Sequence, residues 1–221
     1  MDASRASGEP RRTAVSAETH ARILDGAEQA FGGLGYAKVR VEDILQAAGV
    51  SRPTFYKVYT SKEQVFEALS TRHHREIRLR IQQAAETEAE PPMRLLAVVE
   101  TFLRWRASLG TLGRALDVEA RTPGSSIAHH RKQTLKVMTE LSAGWLKQEG
   151  RPAVDPVLLL ALIAALESVA DALLSGSKVS EAALQRAKLV GFRIVAAALA
   201  GSGDPVPPIP RPPTGRDSVR G

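Results

Sequence analysis

Between Ser51 and Lys62 the sequence SRPTFYKVYTSK gathers side chains suited to holding a polyanion and reading it. Arg52 can bridge O6 and N7 of a guanine, and the ring of Pro53 can press against a thymine methyl. Thr54, Tyr56, Lys57 and Lys62 offer hydroxyl and ammonium donors to phosphate oxygens, contacts that set register rather than sequence. Recognition of DNA is the chemistry these residue types imply.

Such a set works only on a rigid support, and the neighbouring residues supply one. Val41, Ile44, Leu45 and Ala48 recur at helical spacing, which gives Val41–Ala48 one apolar face. Gly49 follows where a chain leaving a helix needs a positive φ. Ser51 is a good N-cap, and Pro53 falls in the first turn of the next helix, where its missing N–H would have had no partner. Phe55 and Tyr59, four residues apart, should point inward. That leaves Arg52, Pro53, Thr54, Tyr56 and Lys57 on or beside the outer face. Ser61 should cap a further helix, SKEQVFEAL, whose N-terminus with Lys62 would clamp a phosphate. Taken alone, the pattern also suits a plain helical corner with a solvated charged face.

The longer run Ile23–Leu69, ILDGAEQAFGGLGYAKVRVEDILQAAGVSRPTFYKVYTSKEQVFEAL, closely resembles the N-terminal domain of TetR-type repressors. The GY after the first helix, the VEDI of Val41–Ile44, the AAGVS turn, the TFY and the SKE all occur in order without a gap. The resemblance implies that Arg52, Pro53, Thr54, Tyr56 and Lys57 face DNA and that Lys62 holds a phosphate. Arg40 stands where the family usually has a threonine that caps the helix and touches phosphate. A cation keeps the contact but caps poorly. Val58 stands where a histidine often reaches the backbone, so one phosphate contact per half-site is missing.

With 221 residues, 43% of them apolar, the chain can fill one large core or two small ones. A net charge of +6 favours a polyanionic partner. The absence of cysteine excludes disulfides, thiolate metal sites and cysteine nucleophiles, and fits a reducing cytoplasm. MDASRASGEPRRTAVSAET lacks the apolar stretch of a signal peptide. The apolar run Val157–Leu166 ends at Glu167, short of the roughly 20 residues that span a bilayer. A soluble cytoplasmic protein with no membrane partner is expected.

The fold class expected is all-α: an N-terminal three-helix helix–turn–helix domain joined to a larger helical ligand-binding and dimerisation domain. Residues 1–16 read as a disordered basic arm, with Arg5, Arg11 and Arg12 either in a minor groove or simply solvated. The DNA-binding domain occupies residues 17–70, its first helix running from about Ala17 to Gly32. Residues 71–201 form the second domain, and the proline-rich residues 202–221 an extended tail. Ser61 to about Ala89 should be one long helix, Met93–Ser108 and Arg114–Ala120 two separate ones, and Ser125–Glu149 another. Asp155-Pro156 opens VLLLALIAALESVADALL, and Ser180 caps EAALQRAKLVGFRIVAAALA. A helix apolar nearly all round must be covered on several sides, so these last two should pair with their copies in a homodimer. TetR-like proteins dimerise in that way.

The function expected is a ligand-responsive DNA-binding transcriptional regulator, a repressor binding a palindromic operator as a dimer and released by a small apolar effector. Candidate pocket residues are Phe102, Trp105, Met138, Leu141, Trp145, Ile163 and Leu166, with Arg106 and Glu167 to orient the ligand. The same types at helical spacing also make plain core. A constitutive DNA-binding protein without an effector is the alternative. An enzyme on a helical bundle is disfavoured, because no His-Glu-x-x-His, Glu-x-x-His, Gly-x-Ser-x-Gly or phosphate loop is present. Glu167 and Asp171 are four apart but lack an identifiable base or nucleophile beside them. No cofactor and no metal is expected; His73 and His74 are adjacent, point to different faces, and read as surface residues.

Overall fold

The computed structural model describes residues 9–88, 90–148, 150–174, 179–201 and 208. The helices are α1 (Glu9–Leu34), α2 (Val41–Ala48), α3 (Arg52–Tyr56), α4 (Lys62–Thr87), α5 (Pro91–Arg121), α6 (Ser126–Gln148), α7 (Pro156–Leu174) and α8 (Glu181–Leu199). No strand occurs among the described residues, and the chain is all-α. The proline-rich tail lies outside the described residues apart from Pro208.

Two elements differ from their expected extents. Helix α1 begins at Glu9, so the second half of the expected disordered arm, Glu9–Ser16, is helical backbone. Pro10 sits in its first turn, where proline is tolerated, and no glycine interrupts the chain from there to Gly26. Met93–Ser108 and Arg114–Ala120 are not separate helices; they belong to α5, which is broken only at Gly110, with φ 50° and ψ −124°. Gly113, between the two expected helices, is a buried helical residue.

The chain divides into two compact units. The first comprises Met1–Glu76 and Thr111–Thr134, the second Ile77–Gly110 and Leu135–Gly221. The first unit is therefore assembled from two stretches, whereas a single cut after residue 70 treats the chain as consecutive pieces.

The core of the first unit is aromatic. Phe31, Phe55 and Phe66 are fully buried with Ile23, Ile44 and Leu69. Phe31 meets Phe66 edge-on at 4.8 Å between ring centres, and Tyr36 leans on Phe66 at 4.6 Å. Leu112 and Ile127 complete this core from the second stretch. Arg72 on α4 reaches Asp25 at 2.6 Å and Glu28 at 2.5 Å, fastening α4 to α1. His73, expected at the surface, is only 5% exposed. The helix turns its ring inward, towards Glu28 at 3.6 Å and Glu76 at 3.8 Å.

In the second unit Val99, Phe102, Leu103 and Trp105 of α5 pack with Leu162 and Ala170 of α7 and with Leu184, Ala187 and Val195 of α8. Gly191 allows the close approach: a Cβ there would lie 2.9 Å from Leu166 and 3.0 Å from Val99. Glu100 links α5 to Lys188 of α8 at 2.9 Å.

Helix α7 is only partly covered by its own chain. Val157, Leu158 and Leu160 are 71%, 38% and 41% exposed, and only 17% of Pro156–Leu173 is buried. By length and composition that stretch could cross a membrane, whereas the sequence reading took Val157–Leu166 as too short.

Candidate nucleic-acid interface

The support for the Arg52 face is built as its residues require. Gly49 ends α2 with φ 61° and ψ 37°, and its N–H returns to the last carbonyls of that helix. Asp43 accepts the backbone N–H of Arg40 at 2.7 Å, so a carboxylate rather than a threonine hydroxyl secures the start of α2. Ser51 caps α3 by accepting the Thr54 N–H at 3.3 Å, with the Ser51 and Thr54 hydroxyls 2.8 Å apart. Phe55 is fully buried and Tyr59 is 6% exposed. These two side chains seat the short α3 on the core, as their spacing predicts.

Three further contacts hold the unit, and sequence reasoning missed them. The Arg22 guanidinium donates to the carbonyls of Ala48 at 3.1 Å and Gly49 at 2.7 Å, pinning the turn from α1. Gly26 lies so close to α2 that a Cβ would be 2.5 Å from the Ala48 nitrogen. The Tyr59 hydroxyl is 2.7 Å from His20 Nε2, and burial pushes its pKa up to about 12. Nothing local in the sequence says which carbonyl Arg22 meets or which backbone Gly26 approaches.

Outside this support lie the residues suited to DNA. Arg40, Arg52, Pro53, Tyr56 and Lys57 are exposed, and Thr54 is half-buried. Val58 packs against the core rather than reaching outward. Lys62 does more than offer a charge to solvent. Its ammonium donates to the carbonyls of Tyr36 at 3.0 Å and Val39 at 2.9 Å and lies 4.6 Å from the Tyr36 ring centre. An ammonium has three N–H donors, so one is left for an outside acceptor. Tyr36 in turn donates to Glu63 at 3.3 Å, and its pKa is raised first by burial and then by that carboxylate.

Arg52 is ion-paired with Glu42 of α2, through Nη2 and Oε1. The Glu42 carboxyl is held below the usual carboxylate range, first by its own backbone N–H, against an opposing effect of desolvation, with Arg52 and Arg40 lowering it further. The surface is thus cationic with one built-in anion beside its principal base-reading candidate.

The pocket candidates divide. Phe102 and Trp105 are buried side by side, 5.8 Å between ring centres, and Leu166 packs on the same cluster. Arg106 bonds Asp171 at 2.7 Å with its side chain 9% exposed. Met138, Trp145, Ile163 and Glu167 are half-buried. The side chain of Leu141 lies outside the described residues. The Trp105 indole N–H is buried without an acceptor among the described residues. Among the described residues no cluster could hold a metal ion.

A rigid two-helix corner whose outer side carries arginine, lysine, hydroxyl and proline groups defines a helix–turn–helix DNA-binding protein. Residues 23–69 match the model for bacterial regulatory proteins of the tetR family. The HTH-type transcriptional regulator YdgC of Bacillus subtilis is 30% identical over 132 residues, 56% of this chain and 67% of that protein. Other curated relatives, two from Mycobacterium tuberculosis, are matched over 45% of their length. Among solved structures, the fatty acid degradation regulator FadR of Bacillus halodurans superposes with a TM-score of 0.66 at 19% identity, covering 78% of this chain and 97% of that one. SmeT, the repressor of the Stenotrophomonas maltophilia multidrug efflux pump SmeDEF, gives 0.62 at 19% identity, covering 89% and 100%. The chain belongs to the TetR family of transcriptional regulators and is not an enzyme.

Proposed function

We propose that the chain is a cytoplasmic repressor that binds a near-palindromic operator as a homodimer and releases it when a small apolar effector enters the second unit. The observation that carries the DNA part is the seating of α3. With Phe55 and Tyr59 buried, Arg52, Pro53, Tyr56 and Lys57 can only face outward. Arg52 then reads a guanine, Pro53 meets a thymine methyl, and Thr54, Tyr56, Lys57, Arg40 and the remaining N–H of Lys62 hold phosphates.

Dimerisation is supported by the uncovered apolar side of α7 and by Leu189 of α8, which is 54% exposed. Pairing α7 and α8 with their copies would cover both, and the two recognition helices would lie about 34–36 Å apart, one helical turn of DNA. An α7 that entered a membrane instead would require detergent to keep the protein in solution. The effector reading is supported by the buried Phe102 and Trp105 rings, by the half-buried Arg106–Asp171 pair, and by the Trp105 N–H, which a ligand oxygen would satisfy. The ligand acts only through its preference for a conformer whose recognition helices are mis-spaced.

Selection of bound duplexes from a random pool tests the reading. One near-palindromic site, bound by two chains, is the expected result, and transcription from a promoter overlapping it should fall. Recovery of unrelated sequences would contradict operator binding, and a rise in transcription would make the chain an activator. A constitutive binder would keep its operator in the presence of every apolar compound that raises its melting temperature.

A further inference from the structure

We propose that Glu42 is a specificity-determining residue: through its ion pair with Arg52 it restricts where the guanidinium points and so narrows which base pair that arginine accepts. The inference rests on the proposed reading of DNA by α3 and extends it to a residue on α2.

Glu42 lies in the first turn of α2 and Arg52 opens α3, so the pair bridges the two helices of the corner on its outer side. Both side chains are more than half exposed, at 57% and 55%. An exposed pair of this kind adds little to stability. The corner already has its fasteners in the Gly49 turn, the Ser51 cap and the Arg22 bonds to Ala48 and Gly49. For phosphate binding a carboxylate here is a handicap, because it subtracts from the cationic field that draws in the duplex.

What the carboxylate supplies is orientation. A lone arginine carries rotamer freedom that a base contact must remove, whereas a guanidinium tethered at Nη2 has fewer orientations left to lose. Its remaining N–H groups are the donors that meet guanine O6 and N7. Glu42 is ionised at neutral pH, its carboxyl being held low by its own backbone N–H and by Arg52, so the tether persists where DNA is bound. Glu42 is thus a positioning residue, and Arg52 the one that touches the base.

The test is duplex selection from random DNA with the full chain, its Glu42→Gln and Arg52→Ala variants, and the double variant, each checked for an unchanged melting profile. Glu42→Gln should relax discrimination by about tenfold at the one position per half-site where Arg52→Ala relaxes it. The double variant should show no loss beyond that of Arg52→Ala. Full discrimination by Glu42→Gln would overturn the inference while leaving DNA recognition by α3 intact. So would relaxation at a different position, which would make Glu42 a reader of its own base. A wild-type chain that selects no sequence would overturn the reading of α3 itself.

Discussion

At the scale of single residues, the first unit depends on atoms that a sequence pattern does not expose. Gly26 is a point where α1 comes close to the α2 backbone. Gly26→Ala would place a methyl group 2.5–2.7 Å from Ala48 atoms, two of them main-chain, which cannot swing aside. We expect a loss of about 1–3 kcal/mol in urea unfolding. An unchanged midpoint would mean that α1 and α2 separate at no cost.

His73 makes a second residue-scale prediction. Burial holds its pKa below the ordinary 6.5, Glu28 and Glu76 pull it upward, and Arg72 adds to the downward shift. The unfolded chain therefore takes up the proton first as pH falls. The contribution of neutral His73 is complete above about pH 6.5 and declines as pH drops through that value towards the lower folded-state pKa. Unfolding midpoints should fall between about pH 7 and about pH 5, and His73→Phe should flatten that dependence. A midpoint that rises on acidification would show that Glu28 and Glu76 keep the ring charged.

At the scale of elements, α2, the turn and α3 were legible because each carries its own local signal. Gly49, Ser51, Pro53 and the Phe55–Tyr59 spacing all fall where backbone geometry demands them. Gly49→Ala should cost about 1–2 kcal/mol in unfolding free energy, because φ is 61° there. Operator affinity should weaken with it as the angle between α2 and α3 relaxes. If stability held while affinity fell, the strain would lie in the orientation of α3 alone.

Elements set by longer-range contacts were less legible. The glycines at 110 and 113 look alike in sequence. Only Gly110 leaves helical geometry, and Gly113 is buried inside α5, because the choice depends on what each packs against. Lys62 likewise reads as a free cation at a helix start. Its bonds to Tyr36 and Val39 depend on where the preceding loop runs.

At the scale of the whole molecule, the composition of α7 already announces that one chain cannot cover it, and the exposure of Val157, Leu158 and Leu160 bears on how it is covered. Leu160→Glu combined with Leu189→Glu should convert the proposed dimer to a monomer in sedimentation velocity. Operator affinity should fall with it, since one half-site is then bound at a time. A wild-type chain that sediments as a monomer, or a double variant that remains a dimer, would move the interface elsewhere. The proposed effector site was the least legible part, because aromatic and methionine residues at helical spacing describe core and pocket alike.

The most direct test of the central claim is a salt titration of binding to the selected duplex and to a scrambled one, for wild type, Lys57→Ala and Arg52→Ala. The account predicts that affinity for both duplexes falls linearly with the logarithm of salt, and that Lys57→Ala lowers the slope by about 1. Arg52→Ala should lose about 1–3 kcal/mol on the selected duplex, most of it as base discrimination. Equal affinity of the wild-type chain for the selected and scrambled duplexes at every salt concentration would contradict it.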